Sequence, residues 1–188
     1  MSSLVIRPAE AGDIARIAAI YADAVEHGAA SYELEPPTQA EMASRFEALR
    51  AGGFPYLVAG QGDGVLGYAY AGPFRPRPAY RFIVEDSVYV APEAKGHGVG
   101  MALMRALIEA VRALGFRQIV AVIGDGGPQS PSVRLHEKLG FAHAGRLEGS
   151  GYKHGRWLAT TFMQLAMNGG ADIPPDPASW PERKFRGE

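Results

Sequence analysis

The run Lys95-Gly-His-Gly-Val-Gly100 sets a glycine at every second position, after a β-rich stretch from Ser87 to Val90 and before an apolar-periodic helix. Glycine strips side chains from a turn, so consecutive backbone N–H groups can close on an anion. The helix start adds its partial positive charge. That chemistry is phosphate binding, and the spacing narrows the ligand. A dinucleotide fingerprint needs G-x-G-x-x-G, but Met101 stands where the last glycine should be. No acidic residue follows about twenty positions on to hold a ribose. The nucleotide loop G-x-x-x-x-G-K-[ST] occurs nowhere. The plainer reading is a strand-to-helix turn that needs glycine for its backbone angles.

Composition removes other classes. A chain of 188 residues, 47% hydrophobic and 21% charged, suits one domain with a sizeable core. A net charge of −1 offers no electrostatic case for nucleic acid or an anionic membrane. No apolar run is long enough to span a bilayer, and the N-terminus lacks an apolar signal core, so a cytoplasmic location is the default expectation. Cysteine is absent, which excludes disulfides, thiolate metal sites and a thiol nucleophile. Five histidines occur (His27, His97, His136, His143 and His154), but no pair has ligand spacing on one helix, so no metal is expected.

The elements that must position the loop follow from periodicity. Leu4 to Arg7 reads as a strand. Asp13 to about Val25 reads as a helix, with Ile14, Ile17, Tyr21 and Val25 on one face. Thr38 caps a second helix to about Ala51, with Glu41 completing a capping box. Phe54 to Ala59 and Val65 to Ala71 flank a Gly-Asp-Gly turn as a hairpin. The Pro- and Arg-bearing stretch Gly72 to Ala79 is a loop, and Arg81 to Val90 is the strand entering the glycine turn. Val99, Leu103, Leu107, Ala110 and Leu114 mark the next helix, which Gly115 ends. Gln118 to Ile123 is apolar enough to be a central strand. Ser130 and Pro131 open a short helix, and Phe141 to Leu147 with Trp157 to Leu165 form a last antiparallel pair. The fold class is α/β or α+β with a mixed sheet. Residues 1–167 make the domain, and 168–188, with Pro174, Pro175, Pro177 and Pro181, make a tail. Trp180 and Phe185 could pack that tail onto the surface or a partner chain; a loosely held terminus is the favoured expectation.

Several blocks stand out: Ile20-Tyr-Ala-Asp-Ala-Val25, Ala69-Tyr-Ala-Gly-Pro-Phe-Arg75, Val84-Glu-Asp-Ser-Val-Tyr-Val90, Lys95 to Gly100, Ser132 to Phe141, Gly151-Tyr-Lys-His-Gly-Arg-Trp157 and Phe162-Met-Gln-Leu165. Together these blocks resemble the phosphinothricin and methionine sulfoximine branch of the GNAT superfamily. Their order and spacing run from about residue 4 to 167 and leave the tail uncovered. The resemblance implies a splayed mixed sheet with helices on both faces, acetyl-CoA beside the central strand, a homodimer and an acceptor with a free amino group. Without cysteine, the acceptor would attack the thioester directly.

The resemblance also assigns residues. Val88, Tyr89 and Val90 would pair with the pantetheine arm, and the Val88 N–H would polarise the thioester carbonyl. Lys95, Gly96, His97, Gly98, Val99 and Gly100 would cradle the pyrophosphate, with Gln129 or Ser130 taking the place of a pantetheine-contacting asparagine. Glu85 is the candidate general base; an ion pair with Arg75 or Arg77 is the competing reading. Asp86 departs from the small or neutral residue of many relatives, and on a regular strand it points away from Glu85. Arg75 and Arg77 would hold a substrate carboxylate or phosphinate, facing a wall of Glu85, Asp86 and Ser87. His136 would assist proton transfer or touch the cofactor, or else be a buried structural histidine. Tyr152, Lys153 and His154 would line the acceptor pocket or a dimer contact, with Lys153 equally readable as a surface charge. Two other readings remain: acetylation of a protein N-terminus or lysine, and a CoA-binding module without catalysis.

Overall fold

The computed structural model describes residues 3–62 and 64–188; Met1, Ser2 and Asp63, the middle of the expected Gly-Asp-Gly turn, lie outside it. Seven strands form one sheet: β1 (Val5–Pro8), β2 (Tyr56–Gln61), β3 (Gly64–Pro73), β4 (Ile83–Val90), β5 (Gln118–Gly124), β6 (Ala142–Lys153) and β7 (Arg156–Ala166). Their order is β1-β2-β3-β4-β5-β7-β6, and only β4 and β5 run parallel. Five α-helices accompany them: α1 (Ile14–His27), α2 (Gln39–Ala51), α3 (Val99–Ala113), α4 (Pro131–Lys138) and α5 (Trp180–Arg186). The mixed sheet is the one that the order of elements predicts, and the helices on both its faces are what the resemblance implies.

Alternation along β3 and β4 divides the core in two. Tyr68 and Tyr70 of β3 stack with Tyr56 of β2, and Tyr89 of β4 stacks on Tyr68 while meeting Tyr21 of α1 edge-on at 5.0 Å. Phe46 of α2 meets Tyr56 edge-on at 5.1 Å, so α1 and α2 cover this aromatic face. The other face belongs to α3. A Cβ at Gly67 would sit 2.8 Å from the Tyr89 carbonyl and 3.2 Å from Val99 and Leu103, so glycine is what lets α3 close on β3. α4 lies beside it, with Leu135 against Gly100. Val99, Leu103, Met104, Leu107, Ile108 and Val111 form the buried stripe of α3, as a period of 3.6 residues requires.

Two local expectations need correcting. Thr38 caps α2 by accepting from the Glu41 N–H at 3.1 Å, but the Glu41 carboxylate turns to Arg45 instead of closing the box. The tail is not a loosely held terminus. Its α5 sets Trp180 against Phe54 (5.4 Å) and Phe116 (5.6 Å) and over Gly53, whose φ of +80° and missing side chain admit the indole. Arg81 pairs with Glu182, the Lys184 ammonium donates to the Gly52 carbonyl, and the buried Arg117 donates to the carbonyls of Ile173 and Pro174. A tertiary aromatic cluster therefore holds a segment too short and proline-rich to be helical alone.

Candidate active site

The parallel pairing of β4 and β5 is short. Ile83 to Asp86 match Gln118 to Ala121, after which β5 continues with β7 as far as Gly124 and β4 continues with β3 alone. The two strands diverge there, and β4 acquires a free edge. Backbone direction alternates along a strand. Ala91 donates to the Leu66 carbonyl of β3, so Tyr89, Ser87 and Glu85 also turn to β3. Val88 and Val90 consequently point their N–H and C=O groups into the gap. Tyr89, expected to share that edge, keeps its backbone in the β3 ladder and places its ring among the tyrosines.

Just beyond β4, Gly96 (φ +82°) and Gly98 (φ +80°) take left-handed conformations with open space where a Cβ would stand. Gly98 is also the N-cap of α3 and supplies no capping side chain. The first helical bond runs from Ala102 to the Gly98 carbonyl, which leaves the preceding N–H groups of Val99, Gly100 and Met101 for an external acceptor. Val99 packs inward, while Lys95 and His97 are exposed. The Lys95 ammonium lies 3.9 Å from Asp23, a loose contact in solvent that leaves it able to turn to an anion. The gap and the glycine turn thus form one track, polar along the strand edge and anion-seeking at its end.

Glu85 and Asp86 adjoin in sequence and part company in space. Glu85 lies half-buried on the aromatic face with Ser87 and Tyr70, which share a hydrogen bond. Burial raises the Glu85 carboxyl above its ordinary value, the neighbouring Asp86 charge adds to this, and the Arg75 charge opposes it. No ion pair within 4.0 Å locks it among the described residues; Arg75 instead stacks over Phe74 at 4.9 Å, and Arg77 is exposed. Asp86 does not join the wall expected for Glu85, Asp86 and Ser87, because alternation sends it through the sheet. There its Oδ2 lies 3.0 Å from Nε2 of His136 on α4, both side chains being 2% exposed. The other ring nitrogen lies 2.7 Å from the Ser132 carbonyl. Both nitrogens face acceptors, an arrangement that favours the doubly protonated ring. Burial pulls the His136 pKa down, but Asp86 and the Ser132 carbonyl outweigh it and the value rises.

The remaining expectations fall in different places. Gln129 is exposed and bonded to Arg134, while Ser130 caps α4. Lys153 is buried rather than a surface charge, and Tyr152 and Trp157 are exposed on the β6–β7 hairpin. The aromatic face also holds groups that the sequence does not single out. Tyr21 bonds Ser31 and donates to Glu33, and Glu33 pairs with Arg45 at 2.6 Å. The period of Tyr68 and Tyr70 hints at that face, but the register opposite Glu85 and Ser87 emerges only on folding. Among the described residues no cluster of His, Asp and Glu forms a metal site, and no helix is long and apolar enough to cross a membrane.

Known proteins share this arrangement. The acetyltransferase (GNAT) family profile matches residues 17–141. A phosphinothricin N-acetyltransferase of Alcaligenes faecalis is 44% identical over 171 residues, covering 91% of this chain and 86% of its own. An L-methionine sulfoximine/L-methionine sulfone acetyltransferase of Pseudomonas paraeruginosa is 43% identical over 164 residues, covering 87% and 94%. The crystal structure of a GNAT superfamily phosphinothricin acetyltransferase from Sinorhizobium meliloti, in complex with AcCoA, superposes with a TM-score of 0.91 at 47% identity, covering 97% of both chains. With that profile, those identities and that superposition, the chain belongs to the GNAT acetyltransferase family.

Proposed function

We propose that this chain transfers the acetyl group of acetyl-CoA to the free amino group of a small amino-acid-like acceptor, of the phosphinothricin or methionine sulfoximine type, by direct attack. One observation carries the reading: an unlocked carboxylate and a free backbone N–H lie on the same strand. Glu85 and Val88 are three residues apart, about 10 Å along β4, a span that accommodates an amine, a thioester and a water.

The chain's own groups suit each requirement of the reaction. The N–H groups of Val88 and Val90 bond an extended pantetheine arm as a strand would, and the Val88 N–H faces charge developing on the acyl oxygen. Gly96, Gly98 and the opening amides of α3 take the pyrophosphate, with Lys95 adding charge and His97 at the rim. The bound thioester supplies an activated acyl carbon and a thiol leaving group. An ammonium cannot attack, so Glu85 takes its proton, directly or through water, and its raised pKa brings it closer to that task. Arg75 and Arg77, on the exposed loop after β3, meet the acidic end of the acceptor. His136, paired with Asp86 on the opposite face of β4 from Glu85, fixes α4 against β4 and stands away from the amine.

The names of the relatives support the acceptor class. We place the enzyme in the cytoplasm as a homodimer, a state that the exposed Leu147, Tyr152 and Trp157 of the β6–β7 hairpin favour. The test is CoA release, followed with a thiol reagent across amino acids and their analogues; a chain without cysteine adds no background. Release that depends on phosphinothricin or methionine sulfoximine is the expected result. Acetyl-CoA binding with release only for peptides would move the acceptor to a protein. Binding without release for any amine would leave a CoA-binding module.

A further inference from the structure

Lys153 closes the β6–β7 hairpin, and its residue is only 5% exposed. A buried ammonium ordinarily faces a carboxylate. Here Nζ donates to the Ser31 carbonyl at 2.9 Å, and no acidic group lies within 4.0 Å of it among the described residues. Burial lowers the Lys153 pKa, with the Glu33 charge pulling it back. A costly group with a single backbone acceptor calls for a reason.

Its surroundings supply one. Residues 28–34 open the 28–38 connection between α1 and α2 and are bolted to the hairpin at several points. His154 Nε2 lies 3.1 Å from the Gly28 carbonyl, and the Tyr32 hydroxyl lies 2.9 Å from Thr160 Oγ1. The Tyr32 ring sits where a Cβ at Gly151 would come within 2.7 Å, and one at Gly124 within 2.8 Å, so both glycines make room for it. From the far side of the same loop, Ser31 bonds the Tyr21 hydroxyl at 2.8 Å and Glu33 takes both Tyr21 and Arg45. Tyr21 in turn presses edge-on against Tyr89 of β4. Loop, tyrosines and Glu85 therefore share one face of the sheet.

We propose that Lys153 is a positioning residue for the acceptor: by gripping the Ser31 carbonyl it holds residues 28–34 in the setting that places Ser31, Glu33 and Tyr21 against the Glu85 face of β4. The inference rests on acetyl transfer occurring at that face. It links the outer hairpin to the acceptor side of the site, with no hydrogen bond from residues 28–34 to the glycine turn among the described residues. A loosened loop should weaken the acceptor and spare acetyl-CoA.

Steady-state kinetics on the full chain separate the two. Lys153→Met keeps the shape and removes the donor, and the KM for phosphinothricin should rise about tenfold. The KM for acetyl-CoA and kcat should hold. Lys153→Arg, which still reaches a carbonyl, should recover part of the loss. Tyr32→Phe, which unfastens the same loop at Thr160 with little risk to folding, should shift the acceptor KM the same way by less. A merely structural lysine would lower the unfolding temperature or the active fraction with both KM values unmoved, and that pattern overturns the proposal. Equal rises in both KM values overturn it too. Failure of the wild-type enzyme to acetylate any small amine would instead sink the acetyl-transfer reading, and this inference with it.

Discussion

The two faces of β4 carry adjacent carboxylates with opposite fates. On the aromatic face Glu85 is half-buried, unpaired and raised in pKa; on the α3–α4 face Asp86 is sealed against an imidazolium. One residue of strand offset separates a group able to exchange protons from one that is locked. The difference lies in what the opposing layer offers. α4 presents His136 with its far nitrogen already given to Ser132, so Asp86 meets a fixed cation. The aromatic face presents tyrosine and serine hydroxyls, and the guanidinium whose charge acts on Glu85, Arg75, lies on an exposed loop. The comparison teaches that a carboxylate is made reactive by leaving it without a partner, at a cost to stability, while its neighbour in the chain is fixed by a buried pair.

Substitution should separate the faces cleanly. Glu85→Gln is expected to have the largest effect, lowering kcat about 10²- to 10⁴-fold, the range for loss of a general base. The residual rate should climb with pH as the acceptor amine sheds its own proton, and acetyl-CoA affinity should not change. The variant should also be slightly more stable, because the half-buried carboxylate is replaced by a neutral amide. A rate that stays flat with pH, or that falls little, would deny Glu85 its role.

The rear carboxylate should show the converse. Asp86→Ala strands a buried ring and should cost about 3 kcal/mol of folding stability, read by urea unfolding, with kcat little altered in the folded fraction. Asp86→Asn should cost only about 1 kcal/mol, because an amide N–H can donate to Nε2 of a neutral His136 while Nδ1–H keeps Ser132. If Asp86→Asn instead loses as much rate as Glu85→Gln, both faces take part in the chemistry and the contrast fails.

Much of this site was legible in the sequence, for identifiable reasons. The glycine turn could be read because left-handed angles and close anion approach demand particular residues at particular spacings, and Gly96 and Gly98 adopt them. The opposite facing of Glu85 and Asp86 followed from strand alternation alone. What stayed hidden was non-local. The divergence of β5 from β4 after Asp86 is a matter of register, and no residue type announces it. The Asp86–His136 contact spans 50 positions and the Lys153–Ser31 contact 122, so neither leaves a local pattern. The α5 helix escaped for a related reason: seven residues with an early proline have little period, and Trp180 is held by Phe54 and Phe116 from distant elements.

The smallest effect is the pH dependence of stability, and it sharpens the contrast most. His136 holds its proton more tightly when folded than when unfolded, where its value is near 6.5. A raised pKa means that the folded state binds the extra proton, so the ion pair contributes fully below about pH 6.5. The contribution fades as pH rises through the elevated folded value. Glu85 has the same sign in a more acid window, because its carboxyl is also raised by folding, so its burden on stability grows as pH climbs above its ordinary 4.5. Above about pH 4.5, urea midpoints should thus carry two declining contributions, one stage from each group; the lowered pKa values of Asp13 and Asp125 act with the opposite sign at more acid pH. Glu85→Gln should remove the earlier stage and Asp86→Asn the later one. Glu85→Gln should leave the later stage in place, whereas Asp86→Asn should also weaken the earlier one in part, because burial is the larger cause of the Glu85 shift and the Asp86 charge the smaller. Loss of both stages in one variant would mean that the carboxylates titrate as a coupled pair across β4.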